Sequence, residues 1–402
     1  DRAQQSLERP DFVSQTSVSN QKIQRTQSHT GRQHAKEQFC LNFSPGISGT
    51  IHPVLKFLFL KLDQDGSKGH HSNGKEYIRD VYKKGVRITM IYNLISSDLI
   101  KEVTFISVLF AFILTCAAIA LGKNILPRDA GRAYAINGSK SVGKPRGAGI
   151  IFILTFTLSC VLFIKLDAEI IIYLILTLAA MLSGYLDDSS SSPWGELKKG
   201  LIDFVIALMA AFTYLHYNPN TFELAFFSKT VTLHPLIYGF LIVVLIWVSI
   251  NVTNCSDGVD GLCGTLSAVT LSTAYVLFRV FDIEPYFRHA VLLMIVCILG
   301  YLWFNASPSK LLMGDAGSRA IGIFIAFVFL KLHHPLLYIP VAIMLILDGG
   351  LGLIKVSFMR FLHINLMKNI RTPIHDHMRK NKEWSDAQVV FRFAIIQIVI
   401  GL

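Results

Sequence analysis

The chain has 402 residues, of which 52% are hydrophobic and 16% are charged, and its formal net charge is +11 at pH 7. This hydrophobic share excludes an ordinary soluble globular domain and indicates an integral membrane protein embedded in a lipid bilayer. The basic residues are concentrated in two segments that connect apolar stretches, 123–146 and 355–382. This placement is typical of loops on one side of a membrane and argues against a nucleic-acid partner.

Residues 1–89 differ from the rest of the chain. They are rich in Gln, Ser, Lys and His, and their apolar patch, VLKFLFLKL, is too short and too rich in lysine to cross a bilayer. The first methionine is Met90, just ahead of the first long apolar stretch. We therefore expect residues 1–89 to be a polar N-terminal extension that is disordered or not part of the functional domain, with a small accessory domain as the alternative.

Residues 90–402 contain a series of apolar stretches suited to membrane helices, each of which needs about 20 mostly apolar residues to cross the hydrocarbon core. The candidates are 103–121, 148–164, 169–186, 201–214, 235–250, 262–279, 289–304, 319–330, 335–354 and 387–402. We predict an all-α domain with about ten transmembrane helices. The short KLHHP connection between the eighth and ninth stretches leaves this count open by one.

The ninth stretch contains Asp348, Gly349 and Gly350. Glycine lowers local helix stability by roughly 1 kcal/mol, so we predict a bend or break at this double glycine. An ionisable residue within a span is expected to face the interior of the bundle.

The two basic segments indicate the orientation. They follow the first stretch and precede the last, so alternating spans place both on one side, which the positive-inside rule makes cytoplasmic. Each unusual polar cluster belongs to a loop on that side: GSKSVGKPRGAG, DDSSSSPWGELKK, NVTNCSDGVDGLCG, NASPSKLLMGDAGS and RTPIHDHMRKNKEW. This convergence predicts an active site at the cytoplasmic face.

The chemistry expected there follows from the residue types. Carboxylates at the mouth of a helix bundle can remain ionised and bind a hard cation, and Mg²⁺ prefers one or two carboxylates together with substrate phosphates. Nearby lysines and arginines suit phosphate oxygens. Taken singly, each cluster could be only a helix stop, a cap or a turn. The carboxylates in question are Asp187, Asp188, Asp257, Asp260 and Asp315.

Four motifs, in this order and spacing, resemble those of the polyprenyl-phosphate N-acetylhexosamine-1-phosphate transferases: YLDDSSSS, NVTNCSDGVDGL, LLMGDAGS and TPIHDHMRKNKEWSDAQVVFRF. The similarity extends from about residue 95 to the end and is greatest to the muramoyl-pentapeptide branch of that family. The resemblance implies a ten-helix enzyme of the bacterial plasma membrane with a broken ninth helix and a cytoplasmic, Mg²⁺-dependent active site. Its implied substrates are UDP-MurNAc-pentapeptide and undecaprenyl phosphate, its implied products are lipid I and UMP, and a homodimer is plausible.

The resemblance also implies roles for individual residues. The catalytic candidates are Asp187, Asp188, Asp315, His375 and His377. Asp187 is expected to deprotonate or position the lipid phosphate, or else to act as a covalent nucleophile. Mg²⁺ is expected at Asp315 and Asp257. The substrate-binding candidates are Lys140, Lys144, Lys198, Lys199, Asn251, Asn254, Asp257, Asp260, Asn305 and Leu312.

The chain departs from the family pattern at several positions. The middle histidine of a three-histidine motif is Asp376, Leu312 stands where many members have a phenylalanine that stacks on uracil, and a lysine after the aspartate pair is Ser191. In the first cytoplasmic loop the family's TPTMGG is KPRGAG, which adds Lys144 and Arg146.

Two other functions compete with the muramoyl transfer. A sibling enzyme would transfer GlcNAc-1-phosphate from UDP-GlcNAc, although the histidine-containing loop resembles the muramoyl branch more closely. An ion-coupled transporter is the more distant alternative. Transporters usually place their binding residues within their spans and show inverted repeats. In this sequence the carboxylates lie at one mouth of the predicted bundle, and no internal repeat is found.

Overall fold

The computed structural model describes residues 100–129, 131, 141–190, 192, 194–225, 229–364 and 367–401. The predicted N-terminal extension, residues 1–89, lies outside this part of the chain. We number the helices in chain order as α1 (Ile100–Gly122), α2 (Gly149–Phe163), α3 (Ala168–Asp188), α4 (Glu196–Tyr217), α5 (Pro235–Cys255), α6 (Leu262–Val280), α7 (Pro285–Asn305), α8 (Gly314–Lys331), α9 (Pro335–Val341), α10 (Ile343–Phe361), α11 (Ile374–Asn381) and α12 (Asp386–Gly401). A short antiparallel hairpin, β1 (Thr221–Leu224) and β2 (Lys229–Thr232), joins α4 to α5.

Apart from the short polar helix α11, the helices overlap the apolar stretches of the sequence. Six of the described helices, α1 and α3 to α7, are long and apolar enough to cross a membrane, and a seventh span is obtained if α9 and α10 together form one. Helix α2 is apolar but shorter, with 15 residues. The multi-pass helical membrane architecture is confirmed, whereas the total of ten spans stays a prediction.

Helix α8 forms the centre of the bundle. All of its residues, from Gly314 to Lys331, are buried. Its Phe327 stacks on Tyr173 of α3 at a centroid distance of 4.3 Å, and Arg319 forms a buried ion pair with Asp203 of α4. Losing one partner of a buried pair costs about 3–5 kcal/mol, so this pair holds α4 and α8 together beneath the polar end of the bundle.

The ninth span is broken, but not at the predicted place. Helices α9 and α10 meet at an angle of 74°, and the break lies at Ala342, upstream of the double glycine. Residues Ile346–Gly350 continue the chain as a π-helical turn. A Cβ atom at Gly349 would lie 2.5 Å from the carbonyl oxygen of Val252. The glycine therefore permits close packing of α10 against α5, and it does not mark the break.

The end of α8 away from Asp315 holds a polar cluster that the sequence analysis misses. Buried Lys331 lies 3.0 Å from both Glu169 and Glu284 and 3.1 Å from Asn218, which belong to three other segments of the chain. Tyr173 also donates a hydrogen bond of 2.8 Å to Glu169. A helix rises about 1.5 Å per residue, so this cluster is separated from Asp315 by roughly the length of α8 and anchors its far end.

Candidate active site

The candidate site is built where α3 ends and α8 begins. Asp187 and Asp188 are the last residues of α3, and Asp315 lies in the first turn of α8. Lys199, in the first turn of α4, joins these helices: its Nζ pairs with Asp187 and lies 3.2 Å from Asp315 Oδ2. One ammonium group thus neutralises two buried carboxylates that are distant in sequence.

Asp315 lies outside the apolar stretch 319–330, at the polar mouth of the bundle. Burial opposes its ionisation, but Lys199 and Arg146 outweigh that effect and hold the pKa of Asp315 below its ordinary value. Asp315 is therefore an anion at neutral pH, as a metal ligand or a partner of phosphate-binding cations must be.

Arg146 is a second cation at this junction. Its Nε lies 2.9 Å from Asp188 Oδ1, its Nη1 lies 3.3 Å from Asp129 Oδ1, and its Nη2 lies 3.7 Å from Asp315 Oδ1. Asp188 also accepts a hydrogen bond of 3.2 Å from the backbone N–H of Ala316. The aspartate pair is therefore divided, with Asp187 facing Lys199 and Asp188 facing Arg146.

The loop between α5 and α6 brings two more carboxylates to the same region. Asp257 accepts a hydrogen bond of 3.1 Å from the N–H of Gly314, directly before Asp315. Asp260 accepts one of 2.9 Å from the N–H of Ser309 and lies 3.6 Å from Lys144 Nζ. Two predicted residues from different loops, Lys144 and Asp260, are thus neighbours.

The predicted amide side chains serve largely to brace these loops. Asn305 accepts a hydrogen bond of 2.8 Å from the N–H of Gly261 and donates one of 2.8 Å to the carbonyl of Leu311. Asn254 donates to Ser318 Oγ at 3.0 Å, and Asn251 donates to the carbonyl oxygen of Trp247 at 2.8 Å. Asn305 therefore braces the residue after Asp260 and the segment before Asp315, and Asn254 contacts a side chain at the start of α8.

The two predicted histidines occupy different positions. His375 is buried, and its Nδ1 lies 2.8 Å from Asp348 Oδ2 on the π-helical turn of α10. Asp348 faces the interior of the bundle, as predicted. His377 is partly exposed, and its Nδ1 accepts a hydrogen bond of 3.3 Å from the N–H of Arg371. Residues two apart on a helix are about 200° apart around its axis, so α11 can present only one of them to the site.

The lysine candidates also separate. Exposed Lys198 lies over the ring of Trp194, with its Nζ 3.5 Å from the ring centroid, whereas its neighbour Lys199 turns into the carboxylate cluster. Lys144 donates a hydrogen bond of 2.9 Å to Ser309 Oγ. Lys140 lies outside the described residues.

A cavity of about 470 Å³ opens beside these groups. Of the predicted residues, Lys144, Asp257, Asp260, Asn305, Leu312 and His375 line it. Arg146 and Gly314 also belong to its wall, and Arg146 contacts both Asp188 and Asp315. Such a polar cavity, with cations and carboxylates converging on it, suits a ligand that carries phosphates and hydrogen-bonding groups.

Two carboxylates have the donor chemistry that Mg²⁺ requires. No group of three or more His, Cys, Asp and Glu side chains with metal-binding geometry occurs among the described residues. However, Asp257 accepts a hydrogen bond from the N–H of Gly314, the residue directly before Asp315, so the two carboxylates belong to the same junction. Two hard oxygen ligands completed by water and substrate phosphates are a set that Mg²⁺ commonly uses, so these residues fit the predicted ion.

Among the residues at the site that were not predicted as site residues are Arg146, Asp129 and Ser309. In the sequence, Arg146 stands out only as a departure from the family loop, and Asp348 is recognisable as a bundle-facing residue but not as the partner of His375. The signal that could have found Arg146 is its position beside Lys144 in KPRGAG, where two cations replace neutral residues. Asp129 and Ser309 carry no comparable signal, because their role depends on how the loops fold.

Comparison with known proteins agrees with the motifs. The family model described as glycosyl transferase family 4 matches residues 170–333. The phospho-N-acetylmuramoyl-pentapeptide-transferase of Treponema pallidum (strain Nichols) is 38% identical over 313 residues, covering 72% of this chain and 86% of the relative. The enzymes of the same name from Desulfotalea psychrophila and Wolbachia pipientis wMel are 31% identical over 290 residues and 28% identical over 323 residues, respectively. They cover 65% and 76% of this chain, and 79% and 97% of their own lengths.

The level of identity and the coverage together exceed what a shared membrane composition would produce. The chain therefore belongs to the phospho-N-acetylmuramoyl-pentapeptide-transferase family.

Proposed function

We propose that this chain transfers phospho-MurNAc-pentapeptide from UDP-MurNAc-pentapeptide to undecaprenyl phosphate, giving lipid I and UMP. Family membership supports the reaction class. The observation that carries the proposal is the meeting of Asp187, Asp315 and Lys199 from three helices beside a polar cavity. Phosphoryl transfer depends chiefly on positioning and charge stabilisation, and this arrangement supplies both.

In the proposed reaction an oxygen of the lipid phosphate attacks the phosphorus attached to the sugar. A new P–O bond forms there, the bond from that phosphorus to the bridging oxygen breaks, and the electron pair leaves with UMP. A phosphate monoester has a second pKa of about 6, so the attacking lipid phosphate is largely ionised at neutral pH. A general base is therefore not essential, and the main demand on the protein is to screen negative charge.

The contacts of Asp187 support a positioning role. One of its carboxylate oxygens accepts a hydrogen bond of 2.7 Å from the N–H of Trp194, and the other pairs with Lys199. Because both oxygens have partners, the carboxylate is poorly suited to attack phosphorus. We assign Asp187 to orienting Lys199, whose ammonium group would bind a phosphate oxygen.

Asp315 and Asp257 would hold Mg²⁺, which would supply charge screening between the two reacting phosphates. Asp260 and Lys144, further along the cavity, would bind the nucleoside end. His375, held by Asp348, would donate a hydrogen bond from its outer nitrogen to the sugar or to a phosphate. At one point of the cavity wall Arg146 lies in front of the buried carboxylate of Asp188, so a phosphate there meets a donor first.

The test is UMP release by detergent-purified full chain supplied with both substrates, with and without Mg²⁺. We expect Mg²⁺-dependent release that is lost in Asp187→Asn and Asp315→Asn. Turnover of UDP-GlcNAc, without turnover of the muramoyl substrate, would reassign the chain to the sibling reaction. Absence of UMP with either sugar nucleotide would refute the proposal.

The finer architecture belongs to the same proposal: ten spans in a bacterial plasma membrane, a cytoplasmic site, and a homodimer. The basic loops around the site support this orientation. An impermeant thiol reagent should label Lys198→Cys from the cytoplasmic side and Asp282→Cys from the opposite side. Labelling of both from one side would contradict the topology, and cross-linking in membranes would test the dimer.

A further inference from the structure

Arg146 lies between the cavity and the buried carboxylates. It lines the cavity wall, while its Nε and Nη2 lie 2.9 Å from Asp188 and 3.7 Å from Asp315. Its side chain is 22% exposed, whereas that of Asp188 is fully buried. A ligand entering the cavity therefore meets the guanidinium group before it meets the carboxylate of Asp188.

The guanidinium group is held from behind by a fixed carboxylate. Asp129 Oδ1 lies 3.3 Å from Arg146 Nη1, and Asp129 Oδ2 accepts hydrogen bonds from Ser141 Oγ at 2.6 Å and from the N–H of Gly131 at 3.2 Å. The loop is also closed by its backbone, because the N–H of Arg146 donates to the carbonyl of Pro127 at 2.8 Å. Arg146 is thus pre-organised, which reduces the entropy lost when it binds a ligand.

The remaining donors of Arg146 suit a phosphate. A distance of 3.7 Å from Nη2 to Asp315 is too long for a hydrogen bond, whereas a guanidinium carries N–H groups in a planar fork that matches two phosphate oxygens. An oxygen placed at the cavity wall would therefore receive a charge-assisted hydrogen bond from Nη2. The three carboxylates around Arg146 keep its charge neutralised until the phosphate arrives.

Arg146 departs from the family motif that this loop resembles. In the loop that resembles TPTMGG, the third position is Arg146 where the motif has threonine. A threonine hydroxyl offers one neutral donor, but arginine adds a full positive charge at the same place.

We propose that Arg146 is an additional catalytic residue, which binds a substrate phosphate through Nη2 while Asp129 holds Nη1. The proposal rests on the proposed function. The phosphate could be that of the sugar nucleotide or that of the lipid, because both must meet near Asp188 and Asp315. In either case the added charge stabilises the crowded phosphates of the transition state.

The test compares Arg146→Gln and Arg146→Lys with wild type in the full chain. Calorimetry would measure the Kd of UDP and of uridine, each with Mg²⁺ and with EDTA, and steady-state assays would give the KM of each substrate. Losing one charge-assisted hydrogen bond should weaken phosphate binding about 10- to 100-fold. Uridine binding should be unchanged, and Arg146→Lys should retain part of the affinity.

The pattern of losses identifies the phosphate. A raised Kd for UDP assigns Arg146 to the nucleotide, and a raised KM for undecaprenyl phosphate alone assigns it to the lipid. The matched control is Arg128→Gln, in the same loop, where the exposed arginine donates to the carbonyl of Gly143 at 3.3 Å and forms no ion pair with the described residues. This control should match wild type, and thermal unfolding should verify that each variant is folded.

The two proposals fail in different ways. If wild type releases UMP but Arg146→Gln and Arg146→Lys keep the wild-type Kd for UDP and both KM values, the assignment of Arg146 is wrong and the transferase function stands. If wild type releases no UMP but UDP binding still depends on Arg146, the phosphate site stands and the proposed reaction is wrong.

Discussion

Replacing Lys199 by methionine gives a direct test of the electrostatic design of the site. The substitution keeps an unbranched side chain of similar volume but removes the ammonium group shared by Asp187 and Asp315. Those two carboxylates then lose their common cation, while Arg146 continues to face Asp188. The principal expected change is a higher pKa for Asp315.

The size of this change follows from the geometry. At 3.2 Å, a unit charge pair interacts by about 5 kcal/mol at an effective dielectric constant of about 20. The Lys199 side chain is 29% exposed, so solvent screening reduces the effect, and we adopt about 2 kcal/mol. The loss of about 2 kcal/mol of attraction disfavours the ionised form and should raise the pKa of Asp315.

The sign determines which limb of the pH profile moves. The pKa of Asp315 is depressed, so the benefit of its ionised form is lost as pH falls through that pKa. Without Lys199 this loss begins at higher pH. We therefore expect the acid limb of kcat/KM for UMP release to move to higher pH and the plateau to fall because a phosphate-binding cation is missing.

The matched control is Lys198→Met, which removes the adjacent lysine from Trp194 without touching the carboxylates. Its pH profile should match that of wild type, whereas only Lys199→Met should move the acid limb. Equal profiles for wild type and Lys199→Met, or a shift of the same size in both variants, would show that the Lys199 contacts do not control ionisation at the site.

Three further changes probe the surroundings of the site. Burial opposes the charged form of His375, but the nearby carboxylate of Asp348 outweighs burial and raises the pKa of that histidine. Asp348→Asn should therefore move the alkaline limb of the kcat–pH profile to lower pH. An unmoved limb would contradict the pairing. In Gly258→Ala the new methyl would lie 2.4 Å from His375 Nε2, an overpacking that costs about 1–3 kcal/mol, so both Tm and kcat/KM should fall. Lys331→Met leaves Glu169 buried without its cation, at a cost of about 3–5 kcal/mol. Its Tm should therefore fall far more than that of the double variant Lys331→Met/Glu169→Gln. Equal Tm values for the single and the double variant would refute this account.

Hydropathy predicts where the helices lie because a lipid-facing or buried helix must be apolar along most of its length. It places the start of the eighth stretch at residue 319, whereas α8 begins at Gly314. The omitted turn contains Asp315, and Arg319 follows it. Asp315 and Arg319 are buried with partners from α4 and the loops. A hydropathy profile cannot predict pairing between residues that are distant in sequence.

The candidate site is predictable to the level of loops but not of contacts. The alternation of spans brings the polar loops to one face, and the structure places Asp187, Asp257 and Asp315 at one junction. Composition alone cannot distinguish Lys198 from Lys199, because adjacent helical residues differ in direction by about 100°. The phase of α4, set by packing against its neighbours, decides which lysine faces the carboxylates.

The same limit explains why the broken span could be anticipated while its break was misplaced. Glycine weakens a helix, but it also lets another backbone approach, and at Gly349 the second effect governs because α5 lies against it. The break occurs instead at Ala342, between α9, which begins at Pro335, and α10. The chain turns by 74° there. Keeping α10 continuous through its glycines places Asp348 opposite His375. A break at the glycines would interrupt the turn that presents this carboxylate, so the position of the break and the anchoring of the histidine are parts of one arrangement.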